Sequence, residues 1–202
     1  MNIEILLYDG FDELDALAPW EVLAEIVRAR PDVDAALVTL EPAREVLASH
    51  GTVVRSQRAL SRAVDLVIVP GGGWIDRDCA GAWSEVQRGV LPAALADRHA
   101  RGTIVASVCT GALLVAAAGL LVGRPATTNH GAMDDLRARG ADVVAARVVD
   151  DGDVVTAGGV TCGLDLVLWL VERFFGAPLA HRAERELEYE RRGTVWRATA
   201  PV

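Results

Sequence analysis

Three short apolar runs constrain this chain more than any other feature, because each stops at a turn cluster and gives way to a helical pattern. "IEILLY" (residues 3–8) runs into "DGFDE", "DLVIV" (65–69) into "PGGGW", and "TIVASV" (103–108) into "CTG". Uninterrupted apolar runs of this length are strands buried on both faces, which is the situation of a central parallel strand. Strands that alternate with helices predict an α/β fold, a doubly wound, mostly parallel sheet with helices on both faces. In such sheets ligands bind at the carboxyl ends of the strands. The loops "DGFDELD", "PGGGW" and "CTG" are therefore expected on one edge.

The remaining segments fit that plan. "LDALAPWEVLAEIVRAR" (14–30) has helical spacing, and Pro19 suits only a first turn. That places the helix start near Ala18, with Asp15 just before it. "VDAALVTL" (33–40) reads as a strand and "VVRS" (53–56) as a short edge piece. Residues 82–101 and 110–121 read as helices, 125–130 as extended, and 131–140 as a short helix closed by glycine. A hairpin is expected around "DDGD", followed by a buried helix over 160–176 and a charged amphipathic one over 178–192. With no repeat, linker or low-complexity tract, residues 1–202 read as one domain.

Composition narrows the function. The chain has 202 residues, 51% of them hydrophobic, which is enough for a sizeable core. A net charge of −8 with scattered basic residues argues against a nucleic-acid surface. No apolar run is long enough to span a bilayer, and the start lacks the pattern of a signal peptide. A cytoplasmic protein acting on a small molecule is expected. Three cysteines, Cys79, Cys109 and Cys162, are widely spaced and form no C-x-x-C pair. A zinc site or a disulfide framework is not expected, and no metal or cofactor is called for.

Cys109 stands where strand turns into helix. A sharp turn there lifts the side chain above the sheet, as in the nucleophile elbow of hydrolases. Backbone N–H groups of the helix start favour negative charge, which lowers a thiol's pKa and offers an oxyanion hole. Gly111 and Ala112 are small enough to fit the turn. Cys109 thus reads as an activated nucleophile, against the plainer alternative of a buried structural cysteine. Asp15 is the leading proton partner, the alternative being a simple helix cap; Asp12, Glu13 and Glu21 remain open. A carboxyl beside a thiolate is expected to hold its proton more tightly than usual. "PGGG" (70–73) lacks phosphate-loop spacing, so its role is to bring backbone N–H groups near a substrate or simply to turn. His130 is a further pocket candidate. His50, His99 and His181 read as solvated, and Cys79 and Cys162 as structural.

"SVCTGALLVAAAGLLVGRPATTN", "IVPGGG", "LDALAPWEVL" and "VVDDGDVVTAGGVTCGLDLVLWLVE" together resemble the ThiJ/PfpI superfamily, whose flavodoxin-like fold is related to class I glutamine amidotransferases. Within it the chain looks most like the isonitrile hydratases, which add water to an isonitrile and yield an N-substituted formamide. The resemblance implies Cys109 as nucleophile and Asp15 as acid/base. It also implies Thr110 as a site hydrogen-bonding group, Gly72 and Gly73 on the oxyanion side, and a homodimer. One departure stands out. Where the related pattern reads "ATTHW", this chain has "ATTNH", so Asn129 replaces the histidine and His130 the tryptophan. That weighs against Cys–His protease or glyoxalase chemistry and leaves Asn129 and His130 as pocket residues. Two other readings are a non-catalytic redox or stress sensor using an oxidisable cysteine, and glyoxalase-type carbonyl detoxification.

Overall fold

A computed structural model describes residues 1–198. The chain starts with β1 (Asn2–Leu6), α1 (Glu13–Ala29) and β2 (Asp34–Thr39). It continues through β3 (Glu45–Leu47), β4 (Val53–Arg55), β5 (Arg58–Ala59) and β6 (Leu66–Val69). Helices α2 (Ala82–Arg88) and α3 (Val90–His99) precede β7 (Ile104–Val108) and α4 (Gly111–Ala117). Then come β8 (Pro125–Ala126), α5 (Met133–Ala138), β9 (Asp142–Val143), β10 (Val148–Asp150) and β11 (Val154–Ala157). Helices α6 (Cys162–Phe175) and α7 (Ala177–Glu186) and strand β12 (Trp196–Arg197) complete the described chain.

The main sheet has eight strands in the order β12-β10-β11-β7-β6-β1-β2-β5. Every pairing in it is parallel except β10 with β11. From β1 the chain moves outward to β2, then returns to place β6 on the other side of β1. The strand order therefore reverses between β1 and β6, the crevice where doubly wound sheets place their ligands. Strands β6 and β7 are buried at nearly every position, which explains their unbroken apolar runs. The doubly wound expectation and the "DDGD" hairpin are both met. No described helix is long and apolar enough to cross a membrane.

Several local expectations are corrected. Helix α1 starts at Glu13, not near Ala18, and Pro19 lies inside it. Asp12 caps it, its Oδ1 accepting the Leu14 amide at 3.1 Å. Pro19 cannot donate to the carbonyl of Asp15 four residues back. Its ring instead packs against the Gly163 backbone of α6, where even a methyl group would sit 3.4 Å from the ring carbons. This burial outweighs the lost hydrogen bond and places Asp15 in the first helical turn. Residues 82–101 form two helices, because Gly89 adopts φ 72° between them. The 53–56 segment pairs with β3 in a separate hairpin rather than at the sheet edge, which β5 occupies. The last helix stops at Glu186, and β12 is an element that the sequence pattern does not predict.

Candidate active site

The loops after β1, β6 and β7 do meet on one edge. Around them lies a cavity of about 710 Å³ lined by the buried Cys109 and Thr110. Gly72, Gly73, Asn129 and Val160 also line it. So do residues 47–49 of the β3–β4 hairpin, the buried Trp74 and the exposed Ile75, Asp76, Cys79 and Ala80.

Cys109 has φ 55°, a left-handed conformation that costs an L-residue on the order of 1–3 kcal/mol. The surroundings hold it there from both sides. Its amide donates to the carbonyls of Ala157 (3.1 Å) and Gly158 (2.9 Å). Its own carbonyl accepts the buried Thr128 hydroxyl at 2.8 Å. The small residue after the turn is required: a Cβ on Gly111 would lie 2.2 Å from the Val69 carbonyl oxygen. These contacts give the sharp strand-to-helix turn expected from "SVCTGA".

Asp15 is fully buried next to this turn. Its Oδ2 accepts the Gly71 amide at 3.0 Å, while Oδ1 is buried with no hydrogen-bond partner at standard geometry. Burial, and then the charge of Asp12, push its pKa up to about 8, against weaker downward pulls from the Gly71 amide and the Cys109 thiol. The thiol is pushed up to about 12, first by burial and second by the Asp15 charge. The amides of Thr110 and Val160 oppose that rise. The expectation of a lowered thiol pKa is therefore corrected: desolvation and a neighbouring carboxylate outweigh the N–H groups of a seven-residue helix. Each group resists the other's charge, so thiol and carboxyl titrate as a pair. The excess proton affinity expected of Asp15 is present.

The glycine loop works differently from expectation. The Gly72 amide donates to Thr110 Oγ1 at 2.9 Å and the Gly71 amide to Asp15, so neither is free for a ligand. Gly73, with φ 58°, makes no amide hydrogen bond among the described residues and lines the cavity. Thr110 holds the glycine loop with its hydroxyl and turns its amide to the sulfur. Gly71 has no room for a side chain, since a Cβ there would sit 2.5 Å from the Thr110 nitrogen and 3.0 Å from Asp15 Oδ2. Gly71→Ala is expected to destabilise the fold by about 1–3 kcal/mol, read as a lower urea midpoint with unchanged slope.

Asn129 lines the cavity, its Oδ1 accepting the Gly131 amide at 2.9 Å and its side chain packed on the Gly159 backbone. His130 is exposed and does not line the cavity, so its pocket placement is corrected. Of the open carboxylates, Asp12 lines the cavity, while Glu21 is exposed. Glu13 accepts the amides of His50 and Thr52, the Ser49 hydroxyl and His50 Nδ1. Burial opposes these bonds, but they prevail and bring Glu13 down to about 2. Asp12, Glu13 and His50 present ligand atoms within 4.8 Å of one another. The hairpin turn that Glu13 caps accounts for that cluster without an ion. His99 is half-buried against Asp153 rather than solvated. Cys79 is exposed and lines the cavity instead of serving the core; Cys162 is buried at the start of α6. Val160 and Thr128 belong to the site without having stood out in the sequence. Val160 has φ 40°, unusual for a β-branched residue. Its only sequence signal is the pair of glycines before it.

The chain belongs to the DJ-1/PfpI family, whose model matches residues 1–173. Isonitrile hydratase of Pseudomonas putida is 34% identical over 193 residues, covering 94% of this chain and 78% of that protein. The Parkinson disease protein 7 homolog of Danio rerio is 25% identical over 189 residues, covering 91% and 94%. A solved THiJ/PfpI family protein from Pseudomonas syringae superposes with a TM-score of 0.83 at 29% identity, over 94% of this chain and 75% of that one. The ThiJ/PfpI resemblance and the flavodoxin-like fold are thereby established.

Proposed function

We propose that this protein hydrates an isonitrile, R–N≡C, to an N-substituted formamide, with Cys109 as nucleophile and Asp15 as acid/base. The observation that carries this reading is a strained, cavity-facing thiol paired with a buried carboxyl that keeps its proton up to about pH 8, with no histidine among the described residues that line the cavity. The similarity to the Pseudomonas putida enzyme supports it.

The terminal isonitrile carbon is electrophilic. The Cys109 sulfur attacks it while Asp15 delivers its proton to that carbon and takes the thiol proton in return, giving a thioimidate with Asp15 again protonated. Oδ1 is the natural proton carrier, since Oδ2 is occupied by Gly71. Water then adds to the carbon. One of its protons ends on nitrogen, and the other is relayed through Asp15 to the sulfur. The C–S bond breaks, the formamide leaves, and the thiol is regenerated. The amides of Thr110 and Val160 steady the sulfur when it carries charge. Formamide production from a small panel of alkyl isonitriles tests the assignment; no turnover of any of them would overturn it.

His130 has no proton-carrying role in this scheme. His130→Asn is expected to change kcat/KM less than about threefold, and the rate–pH profile to lack an inflection near about 6.5. A loss as deep as that of a missing nucleophile would point to a Cys–His site instead. A cytoplasmic homodimer belongs to the same proposal. Leu47 and Ile75, exposed at the cavity rim, and Val53, paired with Leu47 across the hairpin, offer apolar contact area. Light scattering after size exclusion is expected to give twice the chain mass at micromolar concentration; a monomer would contradict it.

A further inference from the structure

We infer that the cavity over Cys109 sorts its ligands by charge, admitting isonitriles with neutral or cationic substituents and excluding those that carry a carboxylate or phosphate. This rests on the hydratase reading for the reaction, but the charge selection is a property of the cavity itself.

Three carboxylates line the cavity, Asp9, Asp12 and Asp76, and among the described residues no arginine, lysine or histidine does. Asp9 is paired with Arg44 at 3.1 Å and is largely offset. Asp12 and Asp76 make no ion pair among the described residues. Asp12 uses Oδ1 to cap α1 and has no hydrogen-bond partner for Oδ2 among those residues. Asp76 accepts only the Cys79 thiol (3.1 Å) and the Asp78 amide (3.3 Å). Arg77, the arginine of the same loop, is drawn away: it stacks 4.0 Å over the Trp83 ring and reaches Asp135 at 3.9 Å. The remaining wall is apolar, through Leu47, Ala48, Trp74, Ile75 and Ala80.

Beside Cys109 lies Asp15 Oδ1, buried and with no hydrogen-bond partner at standard geometry. An anionic substituent would pass beside Asp12 and the exposed Asp76, with no arginine, lysine or histidine among the described lining residues to receive it. Charges of one sign lining a cleft raise the local concentration of ligands of the opposite sign. A neutral alkyl or aryl group packs on the apolar wall, and a cationic one meets Asp12 or Asp76.

Two arms test this separately from the hydratase reading. In the first, Cys109 of the Cys79→Ser protein is labelled with methanethiosulfonates bearing a trimethylammonium-ethyl or a sulfonatoethyl group. Adducts are assigned by peptide mass, and rates are normalised to a free neutral thiol. The cationic reagent is expected to react about tenfold faster than the anionic one. The ratio should shrink in 1 M salt, where the screening length is about 3 Å, and in Asp76→Asn. A ratio below about threefold overturns the inference. In the second, neutral, ammonium-bearing and carboxylate-bearing alkyl isonitriles of equal length are compared by kcat/KM. Turnover of the carboxylate compound equal to the neutral one also overturns charge selection. Failure of all three, with the labelling ratio intact, sinks the hydratase reading and leaves the charge selection standing.

Discussion

Cys109→Ala is expected to remove isonitrile turnover by on the order of 10⁴–10⁶-fold, the scale on which enzymes lose activity with their covalent nucleophile. The substitution leaves φ 55° in place, because alanine carries the same steric cost as cysteine. The bonds that impose the turn run through the backbone of residue 109 and the Thr128 hydroxyl, so they persist. Circular dichroism and the thermal midpoint should therefore stay close to those of the parent chain while formamide production vanishes. Retained turnover in a folded Cys109→Ala protein would remove the sulfur from the mechanism.

Asp15→Asn is the second large effect. An amide cannot pass on a proton, and loss of a general acid/base costs roughly 10²–10⁴-fold. Asparagine preserves the shape and can still accept the Gly71 amide. The same variant has a stability signature whose sign is fixed by the raised pKa. Asp15 keeps its proton in the folded chain up to about pH 8, whereas the ordinary value is 3.8. Between those limits the folded state binds more protons than the unfolded one, so stability falls as pH rises. The penalty is absent below about pH 4 and complete above about pH 8. A tenfold gain in proton affinity on folding is worth about 1.4 kcal/mol, so the full penalty is on the order of a few kcal/mol. Asparagine carries no such penalty. Urea midpoints should thus move in favour of Asp15→Asn as the pH rises across that range. A constant gap throughout would mean that Asp15 ionises normally.

Much of this architecture was legible because local signals and tertiary context agreed. β6 and β7 are buried on both faces and read as continuous apolar runs; Cys109 occupies a position where neither a strand nor a helix favours a thiol. Other features could not be read locally. Pro19 breaks a helix in isolation, and only its packing on Gly163 explains why α1 runs through it and carries Asp15 in its first turn. The Gly72 amide is taken by a threonine 38 positions away, which loop composition cannot reveal. Val160 and Thr128 act through a strained backbone and a long-range hydroxyl contact, and neither leaves a motif. The thiol's proton affinity depends on burial at the junction of three loops rather than on its place at a helix start.

The covalent step is most directly tested by quenching the enzyme with acid during turnover of n-butyl isonitrile and weighing the peptide that contains Cys109. The expected result is a mass increase equal to one whole isonitrile molecule on Cys109 of the parent chain, with little adduct in Asp15→Asn, where the carboxyl proton that forms the thioimidate is missing. Formamide production by the parent chain with no adduct on Cys109, or with the adduct on another residue, would contradict the account.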